Sequence, residues 1–224
     1  MVTLTQNPAP PVIYPSCDGE PLAETSVHLD AIIAIVTALR HYLGDQALVL
    51  SNQFLYYAQG FPRLRVAPDG MVIFGVSPGG RDNYKLWEEG QVPAVIFEVT
   101  SASTQANDDG FKKTLYEQLG VAEYWQFDPK GEWIENRLRG YRLVGESYAV
   151  VNDYQSTVLQ LRLEVEGNLL SFYRLDTGEK LLIPDELYQA LQQEMAARRE
   201  AEKRAEQLEA VLAQYRDRFG ELPN

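Results

Sequence analysis

Cysteine is nearly absent from this chain. Cys17 stands alone among 224 residues, which rules out an internal disulfide and any cysteine-rich metal centre. Histidine is almost as scarce: His28 and His41 are the only two, so a histidine-rich zinc site is excluded as well. No apolar run approaches the ~20 residues that a membrane helix needs, and no basic-then-apolar leader opens the chain. A cytoplasmic protein without a membrane partner is the expectation. Excess positive charge is also missing. Lys and Arg number 20 against 32 Asp and Glu, a net of −12, which argues against a broadly basic nucleic-acid-binding surface. The segment 185–224 holds nine acids and six bases, so residues 1–184 carry −9 and the tail does not explain the acidity. There is no glycine-rich phosphate loop and no internal repeat. Ser101, Ser103 and Thr104 have no histidine in a recognisable nucleophile motif and suit turns and caps.

What is present supports a core. The hydrophobic share is 45%, enough for one main domain plus an extension. Residues 1–23, with Pro8, Pro10, Pro11, Pro15 and Pro21, read as a proline-rich extended arm. Val27, Ile32, Ile35, Val36, Leu39 and Leu43 recur at helical spacing, predicting a helix over 24–43 that Gly44 ends. Segments 47–57 and 63–74 read as strands, and 75–92 as a loop with a short helix near 84–89. A strand–helix–strand unit follows over 94–100, 108–119 and 122–128, the length of a crossover between parallel strands. Short antiparallel strands are expected at 132–138, 141–144, 147–150, 159–164 and 169–174. The fold class is therefore α/β, a mixed β-sheet flanked by helices over about 24–176. Residues 185–220 form a separate C-terminal helix. Leu187, Leu191, Glu194, Arg198, Ala201, Ala205, Leu208, Leu212, Tyr215 and Phe219 fall in steps of three and four, a seam interrupted by two charges that fits an imperfect coiled coil or a helix on the body.

The chemistry concentrates in Pro-Ala-Val-Ile-Phe-Glu-Val-Thr-Ser, residues 93–101. Val95, Ile96, Phe97 and Val99 favour an enclosed strand, and an ionised Glu98 within it is costly unless paired or coordinating. Asp69 precedes a second apolar strand, and Lys112 and Lys113 open the helix after Glu98. Two acids on strands with a nearby lysine suggest a metal-dependent hydrolytic site. Plainer readings stand beside this one. Asp69 in Pro-Asp-Gly is an ordinary turn residue, and Glu98 suits a structural pair with Lys112 or an arginine. Glu24 and His28 share a face of the first helix, where Glu24 also suits the helix start. Asp108 caps or begins the next helix. Tyr124 and Trp125 read as packing residues, and Arg63, Arg65, Arg81 and Lys85 as scattered surface bases.

Taken in order, Pro68-Asp69, Glu98-Val99-Thr100, Asp108-Asp109-Gly110-Phe111-Lys112, Tyr116, Gly120-Val121, Glu123-Tyr124-Trp125 and Asp128-Pro129 resemble the PD-(D/E)XK restriction-endonuclease-like superfamily. The pattern is most similar to a small stand-alone family of candidate endonucleases, largely of unknown function. The resemblance implies a restriction-endonuclease-like core that hydrolyses DNA phosphodiester bonds with Mg²⁺, or Mn²⁺ in its place. Asp69 and Glu98, with the carbonyl of Val99, would hold the metal. The superfamily's usual lysine, two residues after the acid, is Thr100 here. Lys112 on the following helix matches the lysine that takes over, with Lys113 the second choice. Glu24, Asp108 and Lys113 would support the site from behind. The superfamily commonly pairs as homodimers. A catalytically silent binding or assembly module that keeps the fold is the alternative, favoured by the acidic charge.

Overall fold

The strand Val95–Val99 is apolar on both sides of Glu98 because each side of its sheet faces a separate core. The structure, a computed structural model, describes residues 12–19, 24–101 and 104–220, so Pro8, Pro10, Pro11 and Pro21 of the arm and Ser103 lie outside the described residues. The described chain divides into two compact units after Leu181. In the first, α1 (Ser26–Leu43) leads through a 3₁₀ turn to β1 (Ala47–Leu50), β2 (Leu55–Tyr56), β3 (Arg65–Val66), β4 (Gly70–Phe74) and β5 (Tyr84–Lys85). Next come α2 (Leu86–Glu89), β6 (Val95–Val99), α3 (Gln105–Asn107), a π-helical turn (Asp108–Lys112), α4 (Lys113–Leu119) and β7 (Glu123–Phe127). Strands β8 (Leu138–Val144), β9 (Ser147–Val151), β10 (Gln155–Ser156), β11 (Leu161–Glu166) and β12 (Leu169–Arg174) complete it.

The main sheet has six strands in the order β1-β4-β6-β7-β8-β9. Only β6 and β7 run parallel, joined by α3 and α4; the other neighbours are antiparallel. Side chains alternate between the two faces. Val72, Val95, Phe97, Val99, Trp125 and Phe127 join Ile32, Ile35 and Leu39 of α1 and Leu163 and Phe172 of the β10–β12 sheet. Met71, Ile73, Ile96, Tyr124 and Tyr141 pack instead with Leu115 and Tyr116 of α4. Glu98 has the parity of Ile96, so it lies on the α4 face. Trp125 and Gly140 are register partners across β7 and β8, and a Cβ at Gly140 would overlap Cζ3 of the indole. Glycine is the residue that lets the buried indole lie flat there.

Several expected boundaries shift. The stretch 47–57 breaks after Leu50 because Asn52 takes a positive φ. No strand covers 132–137. Asn136 and Arg137 have φ of 59° and 63°, and the pairing of β8 begins at Leu138. Residues 26–46 have the length and the mean hydropathy, 1.2, of a membrane span, against expectation, but half of that window is buried in the protein. The arm's Tyr14 and Pro15 lie against β2: Tyr56 Oη donates to the carbonyl of Pro15 at 2.6 Å. The second unit is α5 (Pro184–Phe219), 36 residues with Pro184 in its first turn and the N–H of Ile183 donating to Glu186 at 3.2 Å. Leu187, Leu191, Leu208, Leu212 and Tyr215 of the seam are exposed.

Candidate active site

Asp69 sits one residue ahead of β4. Gly70 pairs with Phe97 in the antiparallel ladder, so one further step of register sets Asp69 opposite Glu98. Residues opposed in this way share a face, with Cβ atoms roughly 5 Å apart. The N–H of Val99 donates to Asp69 Oδ2 at 2.7 Å, and no described group donates to Oδ1. Ser51 Oγ donates to the carbonyl of Asp69 at 2.7 Å, and the N–H of Asn52 donates to that of Pro68 at 2.9 Å. The Pro-Asp-Gly bend is thereby tied to the loop after β1. Burial pushes the Asp69 carboxyl up to about 7, while the Val99 N–H and the Lys112 cation pull the other way.

Glu98 is 1% exposed and both of its oxygens are engaged. Tyr116 Oη donates to Oε1 at 2.7 Å, and Lys112 Nζ lies 2.8 Å from Oε2. Burial pushes this carboxyl up to about 8, against the pull of Lys112 and with the push of Asp69 and Asp108. The same ammonium lies 2.9 Å from Asp108 Oδ1. Burial works against the charge on Lys112, but Glu98 and Asp108 outweigh it and hold the amine protonated well above its ordinary range. Asp108 is buried, and neither of its oxygens has a well-aligned hydrogen bond among the described residues.

The helix that carries Lys112 does not start at Asp108, as its acids suggest. It starts at Gln105, whose N–H donates to the carbonyl of Ser101 at 3.0 Å. Asp108 then falls inside a wide π turn with Gly110 at its middle. Such turns recur at functional sites because they re-aim side chains. Here Asp108 and Lys112 are both buried against the sheet, while Asp109 and Phe111 face out. Lys113 is turned away, its Nζ 4.3 Å from the centre of the Tyr141 ring. Glu24 precedes α1, whose cap is Thr25, and its Oε2 lies 2.8 Å from His28 Nε2. Burial lowers His28, and Asp108, Glu98 and Lys112 all act on it, so this pair borders the same cluster.

Two carboxylates, Glu98 and Asp108, thus share one ammonium beside a third, Asp69, and the oxygens of Asp108 lack aligned donors. That surplus of hard oxygen acceptors fits a hard divalent cation. Among the described residues no three His, Cys, Asp or Glu side chains converge as a ready metal cage. The fit is therefore to an ion taking two carboxylates, Asp69 and Glu98, with the carbonyl of Val99, and keeping several waters, as Mg²⁺ does. Each Glu98 oxygen retains a free lone pair beside its present partner.

Two residues of the site carry no role in the sequence reading. Tyr116 is the one described hydroxyl on Glu98 and lies one helical turn beyond Lys112, which was the available signal. Gln126 interrupts a fully buried strand beside Glu98, a polar side chain where packing alone would place an apolar one.

The sequence matches the family model described as "Putative restriction endonuclease", Uma2, over residues 2–171. No curated protein matches it. Among solved structures it is similar to one titled as a putative nuclease belonging to DUF820 from Anabaena variabilis. The identity is 13% and the TM-score 0.45, over 63% of this chain and 77% of that one.

Proposed function

Since this chain belongs to the Uma2 family of putative restriction endonucleases, we propose that it is a metal-dependent endonuclease hydrolysing DNA phosphodiester bonds. The observation that carries the reading is the cross-strand pair of Asp69 and Glu98 with Lys112 Nζ 2.8 Å from Glu98. Asp69, Glu98 and the carbonyl of Val99 would hold Mg²⁺, with Mn²⁺ as a substitute. The ion, when bound, supplies Lewis-acid neutralisation of the phosphate and a more acidic water. Lys112 stays protonated, so it acts as a fixed cation that orients the attacking water or meets the negative charge of the transition state. Asp108 and Tyr116 hold Lys112 and Glu98 in place. A homodimer suits the reaction, because one centre cuts one strand and two centres address both.

Two measurements on the full chain test this. Hydrolysis of DNA and RNA is followed with Mg²⁺ and with Mn²⁺, and divalent-ion stabilisation is followed by melting. Asp69→Ala and Glu98→Ala should abolish cleavage while the protein remains folded. A folded wild-type protein that binds no divalent ion and cuts neither nucleic acid would pass the argument to a silent binding module. The net charge of −12 and the self-neutralised Glu98 are the observations that favour that second reading.

A further inference from the structure

One strand over from Glu98, on the same face of the sheet, lies a polar feature that phosphodiester hydrolysis leaves unused. Gln126 is the register partner of Glu98, and Arg139 is the register partner of Gln126. Thr100 follows Glu98 by two along the extended chain, so all four side chains share a face. Thr100, Gln126 and Arg139, with Asp109 and Trp133 at the rim, line a cavity of about 50 Å³. Gln126 is 1% and Thr100 4% exposed, yet Gln126 Oε1 and Thr100 Oγ1 have no partner among the described residues.

The amide orientation is fixed by its neighbours. Tyr124 Oη donates to the carbonyl of Asp108 at 3.0 Å and so accepts from Gln126 Nε2 at 3.3 Å. Oε1 is therefore the atom left over. Buried oxygens without partners are uncommon and mark places where a ligand or water completes the bonding. The loop at the rim is held rigidly. The Asp128 carboxylate accepts the backbone N–H groups of Lys130, Gly131, Trp133 and Ile134 at 3.1, 2.9, 2.5 and 3.0 Å. That loop presents the indole of Trp133 44% exposed.

We propose that this cavity receives the Watson–Crick edge of one unpaired nucleobase of the substrate strand, beside the phosphodiester held at Asp69 and Glu98. The inference rests on the nuclease reading and names the form of substrate. Every base presents on that edge an N–H donor next to an acceptor. Gln126 Oε1 takes the donor, and the Thr100 hydroxyl donates to the acceptor. A bare phosphate offers no N–H to Gln126 and meets the Asp109 carboxylate. At roughly 10–15 Å³ per water-sized group, the cavity admits the edge of a base but not its ring. The ring stays outside, where Trp133 offers a stacking face that tolerates any base. Arg139 at the mouth, 3.0 Å from Asp109, supplies a local cation in an acidic chain. In an intact duplex the Watson–Crick edge is occupied by the pairing base. The substrate is then a single strand, a frayed end or an extruded nucleotide.

Binding anisotropy on the full chain tests the proposal. The probes are labelled strands of about a dozen nucleotides, a length within reach of one binding groove. One is single-stranded, one is its duplex, and one is an abasic strand of equal length. The base-bearing single strand should bind roughly tenfold tighter than the abasic strand, the size of one stacking contact, and tighter than the duplex. Trp133→Ala should erase that difference without weakening the abasic strand, and Trp133→Phe should restore most of it. Gln126→Leu should reduce it further if the variant folds. Equal affinity for base-bearing and abasic strands, or an unchanged ratio in Trp133→Ala, overturns the proposal. Cleavage of the base-bearing single strand at wild-type rate in Trp133→Ala overturns it and leaves the nuclease reading standing. Base-dependent binding without hydrolysis in either Mg²⁺ or Mn²⁺ upholds the pocket and overturns the nuclease.

Discussion

Lys112 is the residue on which the site turns, and its neighbours set what it can do. It is paired to two buried carboxylates, so it cannot serve as a proton acceptor near neutral pH. Lys112→Met should lower kcat by about 100-fold or more, the scale seen when a group aimed at developing charge is lost. Divalent-ion affinity, read by the melting shift, should not fall, because lysine is not a ligand and its removal frees Glu98. A proportional loss of ion binding would contradict the assignment. Asp69 gives the pH prediction. Its folded value, about 7, lies above its ordinary 3.8. A raised acid contributes stability that is whole below pH ~4 and is lost as pH rises toward 7. Metal-free wild-type protein should therefore lose melting temperature over that window relative to Asp69→Asn, and Mg²⁺ should reverse the loss. Parallel melting curves of the two proteins from pH 4 to 8 would count against it. Glu98 and Lys112 were legible because a carboxylate in an apolar run demands a partner. Gln126 was not, since an amide among aromatics carries no such demand until its free oxygen is seen.

At the scale of elements, strands with a strict apolar run were readable and irregular turns were not. The unit β6, α4 and β7 emerged from length and periodicity. The start of its helix did not, because the first turn closes on the backbone carbonyl of Ser101, with no side-chain cap, rather than on the acidic pair that signals a start. The false strand at 132–138 has a similar cause. Its residues alternate acceptably, but Asp128 gathers four backbone N–H groups and bends them into a loop. Asp128→Ala should destabilise the protein by about 3 kcal/mol, since several charge-assisted bonds are lost together, and chemical denaturation reads this directly. Gly140→Ala should cost roughly 1–3 kcal/mol by overpacking, because the new methyl would run into the Trp125 indole. A Gly140→Ala protein as stable as wild type would mean that β7 and β8 can slide apart.

At the scale of the whole molecule, the six-stranded order and the two cores were beyond sequence pattern, because β1 pairs with β4, and β4 with β6, across intervening segments, whereas only the β8–β9 hairpin is local. The unit that carries the sheet and the unit that carries α5 make separable predictions. Light scattering at micromolar concentration should give twice 25.3 kDa for a homodimer. Removing residues 185–224 should leave a folded unit whose mass shows whether α5 or the sheet unit joins the copies. The charges at Glu194 and Arg198 interrupt the seam, so the sheet unit is expected to retain dimers. A mass of one chain for the intact protein refutes the pairing.

Lys112 has one more consequence. Because an ammonium already rests among Asp108 and Glu98, the protein carries its own counter-ion and need not wait for an external one to fold. Small zinc modules, by contrast, are unfolded until metal arrives. On the proposed reading, folding and ion loading are thereby separate events: the ion-free chain should already melt as a cooperative, folded protein, and a divalent ion would change its activity rather than decide its fold.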